Sequence, residues 1–319
     1  MDKVFVLDFG SQYTQLIARK IRELGVYSEI FPFNLPISRI KTENPGAIIL
    51  SGGPQSVYAP ESPAISEEIF QLGIPILGIC YGLQIMAHVL GGKVKPSKKG
   101  EYGFAHLEVK DRKGLLSGIK DRGQVWMSHG DRIHDVPPEF FISGKTSSCH
   151  AAVIESQKMK IFGVQFHPEV IHTTQGLRVL ANFLFRQAGL KKEWKMGSFI
   201  QAKVLEIRDQ VGKERVICGL SGGVDSLVTS LIIHKAIKDR LTCIFVDNGL
   251  LRKGQFQELL KSFRPQFSLN VIGVDASKSF LEKLERIISP ERKRKIIGKE
   301  FIRIFEQEAK KIGKVTFLA

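Results

Sequence analysis

The sequence has few cysteines and no long apolar run, and both absences narrow the class of protein. Four cysteines are spread over 319 residues, and none forms a Cys-x-x-Cys pair, which argues against a zinc ribbon or a disulfide scaffold. No apolar run approaches the ~20 residues that a membrane-spanning helix needs, and the first seven residues lack the basic segment and cleavage site of a signal peptide. We therefore expect a cytoplasmic protein with no membrane partner.

The composition is that of a globular protein, with 43% hydrophobic and 25% charged residues. A chain of 319 residues corresponds to about two domains. Short apolar runs alternate with amphipathic stretches, which predicts an α/β fold of two domains, each a mostly parallel sheet flanked by helices. The predicted domains are 1–190 and 197–319, joined by a polar linker at 191–196. In the first domain the predicted strands are 4–7, 47–50, 74–79 and 160–166, and the predicted helices are 13–24, 65–71, 83–90 and 177–188.

The net charge of +15 is concentrated in the second predicted domain. Residues 191–319 contain 26 Lys and Arg against 15 Asp and Glu. A basic excess suits anionic ligands such as nucleotide phosphates or nucleic acid, and a solvated basic surface explains it equally well. No nucleic-acid-binding fold accompanies the charge, so we expect no specific nucleic-acid partner.

One cysteine lies in a motif that can carry chemistry. Residues 78–82, Gly-Ile-Cys-Tyr-Gly, lie between an apolar strand and a helix, where the glycines permit a sharp turn. The N–H groups at the helix start can lower the pKa of a thiol and hold an oxyanion, so Cys80 could attack a carbonyl carbon. Taken alone, the motif fits a buried structural cysteine about as well. That structural interpretation is the favoured one for Cys218 and Cys243, and Cys149 is assigned no role.

A second motif supplies partners for such a thiolate. Residues 163–169, Gly-Val-Gln-Phe-His-Pro-Glu, follow an apolar strand. In an extended segment His167 and Glu169 point to the same face, a spacing that suits an imidazole that moves a proton and a carboxylate that orients it. The two motifs together favour a catalytic function for His167 over a structural one.

With residues 51–54, Ser-Gly-Gly-Pro, and 78–84, Gly-Ile-Cys-Tyr-Gly-Leu-Gln, the chain resembles the class I, or triad, glutamine amidotransferases. The resemblance implies that glutamine is a substrate and assigns these roles: Cys80 as nucleophile, His167 as base, Glu169 as its partner, Gly53 and the N–H of Tyr81 as oxyanion hole, and Gln84 as a glutamine-binding residue.

A third motif is typical of phosphate binding. Residues 220–226, Leu-Ser-Gly-Gly-Val-Asp-Ser, follow a predicted strand and open a helix, so glycines and free N–H groups face the same point. The motif is not a Walker loop; it resembles the loop of the ATP pyrophosphatases. The residues predicted to bind ATP are Ser221, Gly222, Gly223, Val224, Asp225, Ser226 and Leu227, with Asp225 also a candidate Mg²⁺ ligand.

The combination is similar to the GMP synthase family, as are residues 127–131, Met-Ser-His-Gly-Asp, and 293–298, Lys-Arg-Lys-Ile-Ile-Gly. His129 has no role beyond a structural one. The resemblance implies GMP synthesis from XMP, with ammonia from glutamine and with ATP cleaved to AMP and pyrophosphate. Family members are homodimers, and by this resemblance the chain lacks the dimerisation segment and the rest of the ATP domain. We therefore expect glutaminase capacity and no GMP synthesis from this chain alone.

Two alternatives remain open at the level of sequence. The first is an amidotransferase linked to a different ATP pyrophosphatase, such as an NAD synthetase, although residues 293–298 argue against it. The second is an inactive product that exposes the edge of an incomplete core.

Overall fold

The computed structural model describes residues 2–319, including every side chain except those of residues 97–99 and 264. The chain divides into two units, Met1–Lys195 and Met196–Ala319. Most of the predicted linker, residues 191–195, is held against the first unit. The Lys191 N–H donates to the Asp2 carboxylate over 2.9 Å, and the Trp194 N–H donates to the Gly25 carbonyl over 2.9 Å.

The first unit is a nine-stranded sheet, over the described residues, with helices on its faces. Its elements are β1 (Lys3–Asp8), α1 (Thr14–Glu23), β2 (Tyr27–Pro32), α2 (Ile37–Glu43), β3 (Ala47–Leu50), a 3₁₀ turn (Glu67–Gln71), β4 (Ile76–Ile79), α3 (Tyr81–Val89), β5 (Lys93–Val109), β6 (Gly123–Asp135), β7 (Phe141–Lys145), β8 (Val153–Ser156), β9 (Ile161–Val164), α4 (Gly176–Ala181) and a π-helical turn (Asn182–Gln187).

The strand order is β2-β1-β3-β4-β9-β8-β7-β5-β6. The first five strands are parallel, and the other four continue the sheet antiparallel. The predicted α/β class is confirmed. The antiparallel extension was not predicted, because β5 and β6 carry many polar and charged residues and lack an apolar run.

The parallel strands are buried on both faces, which explains their continuous apolar sequences. Along β1, Val4 and Val6 enter one core cluster, whereas Phe5 and Leu7 enter the other. Helix α3 starts at the carboxyl end of β4, the edge at which parallel sheets form their ligand crevices.

Two predicted helices differ from the structure. The segment predicted over 65–71 is only the 3₁₀ turn. The helix predicted over 177–188 is α4 followed by a π-turn, in which the Ala188 N–H donates to the Phe183 carbonyl. The wider turn accompanies hydrogen bonds from the Asn182 amide to the carbonyls of Leu115 and Ser117, each 2.8 Å long.

The second unit is a four-stranded parallel sheet, over the described residues, in the order β12-β11-β10-β13. Its elements are α5 (Met196–Val211), β10 (Val216–Leu220), α6 (Val224–Ile237), a 3₁₀ turn (Lys238–Arg240), β11 (Leu241–Asp247), α7 (Gln255–Phe267), β12 (Val271–Asp275), α8 (Ser277–Leu284), α9 (Pro290–Ile312) and β13 (Phe317–Leu318). The predicted β10-α6-β11 unit is present. Among the described residues no helix combines the length and apolar character that crossing a bilayer requires.

Candidate active site

Cys80 lies on a sharp turn between β4 and α3. Its φ of +52° is unusual for a side-chain-bearing residue, and the flanking glycines make the turn sterically feasible. A Cβ on Gly78 would lie 2.7 Å from the Gly82 backbone, and a Cβ on Gly82 would lie 2.2 Å from the Leu50 carbonyl oxygen. The sequence therefore places the thiol at the sheet edge by excluding side chains on either side of it.

The thiol is 4% exposed and has polar neighbours. Cys80 Sγ donates to the Ser128 carbonyl over 3.5 Å, and the Gln165 amide nitrogen donates to Sγ over 3.7 Å. The Cys80 N–H donates to the Val164 carbonyl over 2.8 Å. This last bond joins the turn to the end of β9, from which the chain leads directly to His167.

His167 contacts Glu169 and Cys80. Its Nδ1 lies 2.7 Å from a carboxylate oxygen of Glu169, and both residues are nearly fully buried. Burial alone would lower the pKa of His167, but its hydrogen bonds with the Cys80 thiol and the Glu169 carboxylate outweigh burial and raise that pKa to about 10. The structure thus brings together the three residues that the sequence predicted as catalytic.

The contact between His167 and Glu169 has a different backbone origin from the predicted one. The strand ends at Val164, and residues 165–170 follow bends and a turn, so strand alternation does not align the two side chains. The Thr173 hydroxyl instead donates to the His167 carbonyl over 2.6 Å and fixes this turn. The Tyr13 ring meets the imidazole edge-on, with centroids 5.1 Å apart.

Gly53 and Tyr81 lie where the predicted oxyanion hole requires. Within the described part of the chain, neither backbone N–H has a hydrogen-bond acceptor. A Cβ on Gly53 would lie 2.7 Å from the Phe9 carbonyl oxygen and 3.2 Å from the Tyr81 ring, so the loop tolerates only glycine there. The Tyr81 hydroxyl is anchored to the Pro63 carbonyl at 2.7 Å.

A cavity of about 490 Å³ opens beside Cys80 and His167, a volume typical of small-molecule sites. Gln84 also lines the cavity, but its amide nitrogen is engaged by the Asp131 carbonyl at 2.7 Å and by the Gln165 side-chain oxygen at 3.3 Å. Gln84 is therefore placed to order the cavity wall, and only its side-chain oxygen remains for a ligand.

The sequence analysis missed several cavity residues. Tyr13, Tyr102, Ser128 and Asp131 line it, and Gln165 contacts the sulfur behind it. His129 also lines the cavity; its Nδ1 lies 2.9 Å from the Asp131 carbonyl, and its Nε2 lies 3.2 Å from the Glu101 carboxylate. These residues lie on loops and on the unpredicted strands β5 and β6. The quoted motifs at 127–131 and 163–169 contained three of them and were the available signal.

The phosphate-binding motif forms an open turn in the second unit. Ser221, Gly222 and Gly223 connect β10 to α6, and α6 begins at Val224 without a side-chain cap, which leaves helix-start N–H groups for an anion. Gly222 has a φ of +79°. The two serine hydroxyls are 3.0 Å apart and hydrogen-bond each other. The predicted residues Asp225, Ser226 and Leu227 form the first turn of α6.

The donors in this turn fit nucleotide phosphates. No group of three or more metal-ligating side chains exists among the described residues. Asp225 alone could therefore supply one carboxylate to Mg²⁺, an arrangement typical of sites completed by phosphates and water.

Comparisons with known proteins agree with this site. The profile of glutamine amidotransferase class-I matches residues 5–187. The glutamine-hydrolyzing GMP synthase of Carboxydothermus hydrogenoformans is 52% identical over 316 residues, which cover 99% of this chain and 62% of that protein. The corresponding protein of Brachyspira hyodysenteriae is 50% identical over 319 residues, covering 100% of this chain and 62% of the relative. The chain thus spans 62% of the length of these relatives.

One solved structure extends the comparison to the fold. A GMP synthase subunit from Thermoplasma acidophilum is 31% identical and superimposes with a TM-score of 0.52. The similarity covers 59% of this chain and 94% of that structure.

Proposed function

The chain belongs to the class-I glutamine amidotransferase family, and from this premise we propose that its first unit hydrolyses glutamine to glutamate and ammonia. The supporting observation is the buried contact of Cys80, His167 and Glu169 beside a cavity with two free N–H donors. A thiolate next to an imidazolium is an activated nucleophile for an amide carbon.

The first half-reaction is acyl transfer to sulfur. The Cys80 thiolate attacks the side-chain carbonyl carbon of glutamine, and the resulting oxyanion accepts hydrogen bonds from the N–H groups of Gly53 and Tyr81. The His167 imidazolium donates its proton to the amide nitrogen, the C–N bond breaks, and ammonia leaves. A γ-glutamyl thioester on Cys80 remains.

The second half-reaction regenerates the thiolate. Neutral His167 now accepts a proton from a water molecule that attacks the thioester carbon, while the same two N–H groups bind the oxyanion. Glu169 orients the ring and stabilises its charged form. The C–S bond breaks, glutamate leaves, and His167 is again protonated beside the thiolate.

Glutamate release by the purified chain tests this proposal. We expect glutamate from native protein and at least a hundredfold less from Cys80→Ala, since the covalent route depends on the sulfur. Cys218→Ala, which removes a buried thiol of the second unit, is the matched control and keeps the native rate. Equal rates for native protein and Cys80→Ala would contradict the proposal.

We further propose that the second unit binds the phosphates of ATP with Mg²⁺. The support is the open glycine turn at 221–223, the uncapped start of α6, and the similarity to GMP synthases across both units. In the complete reaction, ATP would activate XMP as an adenylate and ammonia would replace the activated oxygen to give GMP. By this proposal the partners are small molecules, the location is the cytoplasm, and the assembled enzyme is a homodimer.

Nucleotide-dependent stabilisation tests the phosphate site. Mg²⁺-ATP should raise the unfolding temperature of the native second unit within the full chain, because a ligand that binds only the folded state stabilises it. Ser226→Ala should reduce that rise, whereas Ser262→Ala, an exposed serine of α7, should leave it unchanged. An equal rise in all three proteins would contradict the assigned site.

A further inference from the structure

We propose that Gln165 is a further catalytic residue, whose side-chain amide stabilises the Cys80 thiolate by a hydrogen bond to its sulfur. The inference rests on the proposed hydrolysis, because it concerns the nucleophile of that reaction. Gln165 Nε2 lies 3.7 Å from Cys80 Sγ, within hydrogen-bond range for a sulfur acceptor. No role for this residue followed from the sequence motifs.

The orientation of the Gln165 amide is dictated by a chain of hydrogen bonds. This chain begins at the Asp131 backbone carbonyl, which can only accept. The Gln84 amide must therefore turn its NH₂ group toward that carbonyl, at 2.7 Å. The same NH₂ group also meets the Gln165 side-chain oxygen at 3.3 Å. Gln165 consequently directs its oxygen to Gln84 and its NH₂ group to the sulfur.

Gln165 is fixed in this position by its surroundings. The residue is fully buried, and its backbone N–H donates to the Ala152 carbonyl over 2.8 Å. Gln84, which holds the other end of the amide, is 3% exposed. A donor that is already oriented in a water-poor site stabilises an anion without reorganising when the charge appears.

Two neighbours of the sulfur have opposite preferences. The Ser128 carbonyl, at 3.5 Å, accepts the thiol hydrogen and favours the neutral form. Gln165 donates to the sulfur and favours the thiolate, because hydrogen bonds to a charged acceptor are the stronger ones. An amide keeps its hydrogens across the whole working pH range, so this support persists where the charge of His167 varies.

The pH dependence of Cys80 alkylation tests the proposal in the full chain. Iodoacetamide reacts with the thiolate, and mass spectrometry of the Cys80 peptide gives the rate at each pH. Gln165→Met keeps the length of the side chain but lacks the donor. We expect its midpoint to move to higher pH and its rate at pH 7 to fall about tenfold, the effect of one hydrogen bond to a charged group.

Three more variants complete the test. Gln165→Glu retains the shape but places an acceptor at the sulfur, so its midpoint should also rise, which keeps the test valid if Gln165→Met fails to fold. Gln84→Met removes only the anchor of the amide and should give a smaller shift in the same direction. Gln71→Met, an exposed glutamine of the 3₁₀ turn, should match native protein.

A native midpoint in both folded Gln165 variants would overturn the proposal. This outcome differs from failure of the proposed hydrolysis, which would appear as equal glutamate release by native protein and Cys80→Ala. Shifted midpoints without glutamate release would keep the role of Gln165 at the thiolate and reject the reaction.

Discussion

At the scale of single residues, the charge of His167 decides the pH range of the site. Burial disfavours the imidazolium, but its hydrogen bonds with Cys80 and Glu169 raise its pKa to about 10. A raised pKa means that the charged ring persists through neutral pH and is lost as the pH rises through about 10. The thiolate–imidazolium pair should therefore extend well into the alkaline range.

Glu169→Gln should lower activity and narrow this pH range. The amide still contacts His167 but no longer stabilises its charge, so the alkaline limb of kcat/KM should move to lower pH. The rate should fall by roughly 10²- to 10⁴-fold, the range associated with a disturbed general acid–base group. Glutaminase activity measured from pH 6 to 11 reports both effects.

Glu139→Gln is the matched control, since Glu139 is exposed and pairs only with Lys158 among the described residues. It should retain the native profile. An unchanged alkaline limb in Glu169→Gln would show that the carboxylate does not set the charge of His167.

Gly53→Ala should impair catalysis by displacing an oxyanion donor. The added Cβ would lie 2.7 Å from the Phe9 carbonyl oxygen, so the loop must shift and carry its N–H away. We expect kcat to fall about 10²- to 10³-fold, as for loss of one oxyanion-hole donor, with a smaller change in KM. Steady-state kinetics on glutamine provide the measurement.

Gly197→Ala, in α5, adds a methyl group where no atom lies within 4 Å and should preserve the native kcat. If Gly53→Ala is folded and equally active, the Gly53 N–H has no function in the reaction.

The sequence was informative for residues that steric rules identify. Cys80 was predicted because glycines on both sides of a cysteine imply a tight turn, and the structure has that turn with a positive φ. Gln165 could not be predicted in the same way. Its contact with the sulfur depends on the direction of its amide, which a backbone carbonyl more than thirty positions away sets through Gln84.

At the scale of elements, a buried carboxylate joins α8 to α9. Glu300 of α9 is 2% exposed and accepts hydrogen bonds from Ser279 and Lys283 of α8 and from Arg303 of its own helix. The hydrogen bonds from Arg303, followed by those from Lys283 and Ser279, outweigh burial and lower the pKa of Glu300 to about 2. A lowered pKa in the folded state stabilises the fold above the ordinary carboxyl pKa of 4.5, and this contribution is lost as the pH falls through about 2.

Glu300→Gln should destabilise the second unit at neutral pH. The neutral amide loses the charge-assisted part of three interactions, so we expect a loss of roughly 1–3 kcal/mol in unfolding free energy. The difference from native protein should shrink as the pH falls from 5 toward 2. Urea unfolding at several pH values gives both quantities.

Glu306→Gln changes an exposed carboxylate on the same helix and should have a small effect at every pH. A pH-independent difference between Glu300→Gln and native protein would contradict the role of the charge.

Elements with a strong apolar signal were predicted well, and those without one were missed. Strands β1, β3 and β4 are buried along most of their length and read as apolar runs. In contrast, β5 alternates exposed residues such as Tyr102 and Phe104 with half-buried ones, and its pairing with β6 contains register shifts. Such strands are stabilised by cross-strand contacts, which a single sequence does not reveal.

At the scale of the whole molecule, two units carry two different kinds of site. The first unit presents a thiol, an imidazole and a carboxylate at the carboxyl edge of its sheet, and the second presents a glycine turn at the start of a helix. The basic excess of residues 191–319 suits a unit that binds polyphosphate. The division after Lys195 lies close to the predicted boundary near 190, since hydrogen bonds extend the first unit through the polar segment.

The most direct measurement is mass spectrometry of the chain after rapid mixing with glutamine and acid quenching. Native protein should gain the mass of one γ-glutamyl group, located by peptide mapping on Cys80, and the adduct should be absent from Cys80→Ala. Glu169→Gln should form it more slowly. Glutamate release without any adduct on Cys80, or with an adduct on another residue, would contradict the account.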